Sequence, residues 1–147
     1  MLLKIIIGMF FSGLVLSGCA QQRDLPKTDC AFSAGACTKA VQDMQVSFDI
    51  TPKHVPAMAE LVFTVLLQRQ GKPVDDAHVS LDLTMPGMYM GLNRPLLKFI
   101  WSGRYEGKGI LQRCPSGQKI WKAEVVIEHP SFLGKALKTG FLFEAAK

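Results

Sequence analysis

Read for hydrophobic and polar alternation, the chain falls into short period-two runs separated by Gly and Pro. Met44, Val46, Phe48 and Ile50 share one parity, and the run stops at Thr51-Pro52. Glu60 to Gln70 is a second run, rich in Leu, Val and Phe, ending at Gly71-Lys72-Pro73. In the third, Ala77 to Met85, one parity holds Val79, Leu81, Leu83 and Met85 and the other holds Ser80, Asp82 and Thr84. Leu96 to Trp101 forms a fourth, closed by Ser102-Gly103, and Tyr105 to Gln112 a weaker fifth containing Gly107 and Gly109. Arg113 to Gly117 reads as a turn. In Lys119 to Glu128, Trp121, Ala123, Val125 and Ile127 take the core parity, until His129-Pro130 ends the run. Leu137 to Glu144 supplies the last strand through Phe141 and Phe143.

No segment shows a 3.6-residue period. About seven strands with Gly and Pro turns predict an all-β protein, an antiparallel β-sandwich of immunoglobulin-like kind. Trp101 and Trp121 are expected in its core.

The first residues are of another kind. Lys4 precedes an apolar run from Ile5 to Leu16 that is short for a membrane span of ~20 residues. Leu16-Ser17-Gly18-Cys19 follows and looks like a bacterial lipobox, in which the cysteine thiol accepts a diacylglyceryl group. The expected organisation is a signal peptide over 1–18, a lipid-anchored linker over 19–43 and one β-domain over 44–147. Acylation of Cys19 would tether the protein to the cell envelope, facing the periplasm or the outside. Ala20 after it favours the outer membrane where there are two. Removing Lys4 with the leader lowers the formal charge from +5 to +4. That excess is spread without a basic run, which argues against a nucleic-acid partner.

Three cysteines remain, and an oxidising compartment favours a disulfide among them. Spacing leaves the pairing open; Cys37 with Cys114 is the favoured bond, with Cys30 as the free thiol.

The segment Met85-Pro86-Gly87-Met88-Tyr89-Met90-Gly91-Leu92-Asn93-Arg94-Pro95 carries the candidate chemistry. Its soft thioethers suit Cu(I) where thiolates are lost to oxidation, and they are equally good core filler. Met88 and Met90 lie on one face of an extended segment, and Met85 lies across the Pro-Gly bend. His78, His54 and Cys114 are possible further ligands, although His78 has the outward parity. Tyr89, Asn93 and Arg94 are the expected contacts for a protein partner. Neither a nucleophile elbow, paired carboxylates nor a zinc-protease motif occurs, so the chain reads as a non-enzyme.

Gly71-Lys72-Pro73-Val74 with Ala77-His78-Val79, then Met85-Pro86-Gly87-Met88, Met90-Gly91, Gly103-Arg104-Tyr105 and Gly117 to Trp121, resembles YtkA-like and FixH-like extracytoplasmic domains over roughly residues 44 to 145. The resemblance implies an immunoglobulin-like sandwich and a link to copper handling or cytochrome oxidase assembly at the membrane. It lacks the histidines that a dense copper site would place beside the methionines.

Overall fold

The computed structural model describes residues 26–146; the expected leader and lipidation site Cys19 lie outside the described residues. Among the described residues nine strands form: β1 Cys37–Val41, β2 Met44–Thr51, β3 Glu60–Arg69, β4 Lys72–Pro73, β5 His78–Thr84, β6 Leu96–Trp101, β7 Arg104–Ile110, β8 Ile120–Glu128 and β9 Leu137–Glu144. One 3₁₀ turn, Pro130–Phe132, lies between β8 and β9. All strand pairs are antiparallel, in the order β1-β2-β3-β7-β6-β5-β8-β9, with β4 a short addition to β3.

The sheet curls almost into a barrel because β6 serves two neighbours. Leu96 and Leu97 pair with Ser80 and Val79 of β5, whereas Lys98, Phe99 and Trp101 pair with β7. Gly107 makes this junction possible: a Cβ there would sit 2.7 Å from the Leu96 carbonyl oxygen. At the other seam β1 meets β9, where Lys39 Nζ donates to the Gly140 carbonyl at 2.6 Å and pairs with Asp29. Inside, Phe48 lies 5.3 Å from Phe141 and 6.2 Å from Phe63, ring centroid to centroid. Trp121, Tyr105 and Phe143 complete the aromatic core. Burying each such side chain stabilises by about 1.5–3 kcal/mol.

Seven of these strands fall on runs read from the sequence; β1 and β4 do not. The ordered sheet therefore begins at Cys37, seven residues before the expected domain boundary. Trp101 is 63 % exposed rather than in the core, since every β6 residue after Leu97 is exposed, and it pairs with Arg104 beyond a register shift.

The disulfide also differs from expectation. Cys37 bonds Cys30, with their Cα atoms 5.7 Å apart, and Cys114 is a free, buried thiol. Phe32 explains the pairing. It packs edge-on against Phe48 and Phe143, each at 5.3 Å, and draws the small-residue loop into a tight fold between the two cysteines. Asp29 and Cys30 donate backbone N–H groups to the Leu142 carbonyl at 3.0 Å, and the Asp29 carboxylate accepts the Leu142 N–H at 2.7 Å. The segment thus covers the open edge of β9.

Candidate functional site

The pairing of β5 with β8 sets up the site. Thr84 stands opposite Lys122, so the chain leaving β5 and the chain entering β8 meet at one end of the sheet. Both make a proline turn there. Met85-Pro86-Gly87-Met88 closes with the Met88 N–H on the Met85 carbonyl at 3.0 Å, and Gly87 takes φ +77°. Pro at the second position and Gly at the third are what a type II turn requires. Cys114-Pro115-Ser116-Gly117 closes likewise, with the Gly117 N–H on the Cys114 carbonyl at 3.0 Å.

Two contacts join the turns into a clasp. Gln118 Nε2 donates to the Pro86 carbonyl at 3.0 Å, and Cys114 Sγ lies 3.1 Å from Met88 Sδ. Ser116 Oγ is 2.9 Å from the same thiol sulfur. That side-chain hydrogen bond holds the Cys114 thiol below its ordinary pKa. Burial pushes the other way, and the backbone N–H groups of Ser116, Gln118 and Gly117 add to the lowering. Beside the sulfur lies a cavity of about 330 Å³, lined by Cys114, Gln118, Trp121, Ala57 and Ala145 among others.

Met88 and Met90 are partly buried against the core, while Tyr89 between them is 85 % exposed. Met85 is buried at the turn. His78 is removed from the set. It opens β5, opposite Glu128, and seven residues of strand, roughly 23 Å at ~3.3 Å each, separate it from Met85. His54 is exposed and lines a separate hollow with Cys30 and Lys53. Tyr89 is free to meet a partner. Asn93 and Arg94 are engaged within the chain: Asn93 Nδ2 donates to the Ile110 carbonyl at 2.9 Å, and Arg94 pairs with Asp82 at 3.0 Å.

A thioether and a thiol are soft donors of the kind Cu(I) accepts. Two sulfurs on one metal at ~2.3 Å and a tetrahedral angle stand ~3.8 Å apart, so the pair must part by roughly 0.7 Å. Ser116 and Gln118 escaped the sequence reading. The legible signal was that Met85 and Cys114 each directly precede a proline turn.

A second polar cluster lies at the opposite end. His129 Nε2 is 2.9 Å from Asp76 Oδ1, its Nδ1 is 2.7 Å from Ser131 Oγ, and Arg69 Nη1 donates to that hydroxyl at 3.1 Å. The order is that of an acyl-transfer triad, yet His129 Nδ1 also accepts the Ser131 N–H at 3.1 Å. The ring thereby caps the 3₁₀ turn as an N-cap side chain does, and Asp76 holds the ring from solvent. The His129 hydrogen bond in turn lowers the Asp76 pKa. His129 and Asp76 are thus tied together.

Among the described residues no three His, Cys, Asp or Glu side chains converge as a metal site, and none forms a helix long and apolar enough to cross a membrane. Compared with known protein families, curated proteins and solved structures, the chain matches none.

Proposed function

We propose that this chain is a lipid-anchored, extracytoplasmic binding module that holds Cu(I) between its two proline turns and serves copper handling or oxidase assembly. The observation that carries the reading is the approach of Cys114 Sγ to Met88 Sδ, 3.1 Å, where Ser116 favours the thiolate. Met88 and Cys114 would hold the ion, with Met85 and Met90 the nearest further thioethers in the chain. Such a set would keep copper reduced in an oxidising compartment. The cavity beside Cys114 gives the sulfur a route to solvent.

The immunoglobulin-like architecture belongs to the same proposal. The strand order β2-β3-β7-β6 follows the A-B-E-D arrangement and β5-β8-β9 follows C-F-G. β6 joins the two sheets, and β1 is an added N-terminal strand. The anchor is Cys19, placed by the lipobox.

The test is a Cu(I) competition titration comparing the parent protein with Met88→Leu and Cys114→Ser. Leu keeps the volume of Met, so folding survives while a donor is lost. Each substitution is expected to weaken binding by at least about tenfold; unchanged affinity overturns the assignment. The burial of Met85 and the packing of Met88 and Met90 on the core favour a second reading, a metal-free envelope module in which the thioethers are filler. In that case the parent itself binds no copper.

A further inference from the structure

Four large apolar side chains, three on loops and Ile110 at the end of β7, stand out around the clasp. Tyr89 is 85 % exposed, Leu92 77 %, Met58 62 % and Ile110 49 %. They are neighbours through the backbone. The Met58 N–H donates to the Leu111 carbonyl at 2.8 Å, next to Ile110, and Asn93, next to Leu92, bonds the Ile110 carbonyl. Tyr89 follows Met88, which touches Cys114. An aqueous surface gains nothing from this concentration of apolar groups on one rim.

The entry of the chain indicates what covers the rim. Thr28 shares a hollow with His54 and Ala145, at the same end as the clasp, so the polypeptide reaches the domain from that side. Six residues, 20–25, lie between Cys19 and the first described residue, Pro26, and the chain from Cys19 to Pro26 spans at most ~25 Å when fully extended. The strands themselves run about 26 Å, at ~3.3 Å per residue over eight residues. An acylated Cys19 therefore keeps the clasp end within easy reach of the lipid. The opposite end, with Trp101, would meet it only with the linker stretched along the sheet.

We propose that Met58, Tyr89, Leu92 and Ile110 form a rim that rests on the lipid bilayer, so that the clasp opens toward the membrane. The proposal rests on the lipid-anchored reading of the chain. Tyrosine suits the role because its ring is apolar and its hydroxyl is satisfied among headgroups. Exposed Arg113, beside Cys114, adds attraction to an anionic surface. A soft ion held at the clasp would then be exchanged with a site at or in the membrane rather than with a soluble carrier.

The test uses the full acylated chain reconstituted into phosphatidylcholine–phosphatidylglycerol vesicles, with or without acyl-brominated lipid, which quenches tryptophan on contact. Leu92→Trp and Tyr89→Trp place probes at exposed rim positions where a larger ring meets no packing. The emission added by each probe is expected to fall by about half in brominated vesicles, while the parent protein, whose exposed Trp101 is at the far end, changes little. Flotation and an intact mass with the acyl group establish the anchor in the same samples. A chain that is acylated and floats, but whose probes are unquenched, overturns the rim and leaves the anchor standing. Probes protected by cross-linked pairs of the chain overturn it in favour of a second copy. A chain that neither floats nor carries an acyl group overturns both.

Discussion

Reducing the Cys30–Cys37 bond gives a stability change whose size depends on which cysteines are joined. The bond closes a loop with a sequence separation of 7. In the chain-entropy model a cross-link over about eight residues stabilises by roughly 2.5 kcal/mol, whereas one closing a loop of roughly eighty, as a Cys37–Cys114 bond would, gives ~4.5 kcal/mol. Urea unfolding of oxidised and reduced protein, with the slope compared between them, should therefore show a loss of about 2.5 kcal/mol. Cys114→Ser should leave the difference between oxidised and reduced forms unchanged, because that thiol takes no part. Peptide mapping after alkylation without reductant should find label on Cys114 alone. A disulfide-linked peptide containing Cys114, or an unfolding free energy indifferent to reductant, would refute the reasoning. Phe32 is the structural reason to expect the short loop, since its ring sits between Phe48 and Phe143 only when the loop is folded in.

Tyr105 is buried, donates its hydroxyl to the Val74 carbonyl at 2.9 Å and accepts the Ala77 N–H at 3.1 Å, so Tyr105→Phe leaves both unpaired and should cost about 2 kcal/mol; thermal melting checks this, and a change below about 0.5 kcal/mol contradicts it. Burial raises the Tyr105 pKa, so its phenolate should appear in a spectrophotometric titration only above the ordinary tyrosine range. Gly103 has φ +74° and a Cβ there would lie 2.4 Å from the Leu67 carbonyl oxygen, so Gly103→Ala should destabilise by roughly 2–4 kcal/mol in the same assay. The Cys114 thiol is held down in the folded protein, so its thiolate absorbance should grow in at lower pH than in the unfolded chain and fade as pH falls through the folded value; Ser116→Ala should move that midpoint upward.

Much of the sheet was legible because its strands bury one face. β2, β3, β5, β8 and β9 alternate buried with less buried positions, and each matches an alternating run in the sequence within a residue or two. β1 was not legible: Cys37 to Val41 lies on an outer edge, with no residue fully buried, so no pattern was imposed on it. Trp101 was misplaced because β6 buries only Leu97, so its apolar composition does not report an inward face. The candidate site divides the same way. The methionine turn is local and readable from Pro86 and Gly87. Its partner is long-range: only the register of β5 on β8 reveals that Cys114 arrives beside Met88. His78 showed the opposite failing, near in sequence and a strand's length away in space.

The most direct measurement of the central claim is X-ray absorption at the copper edge of Cu(I)-loaded, disulfide-intact protein. The account predicts a first shell of sulfur alone, which loses a sulfur in Met88→Leu and again in Cys114→Ser. A shell containing nitrogen or oxygen donors, or protein that retains no copper through a desalting column, would contradict it.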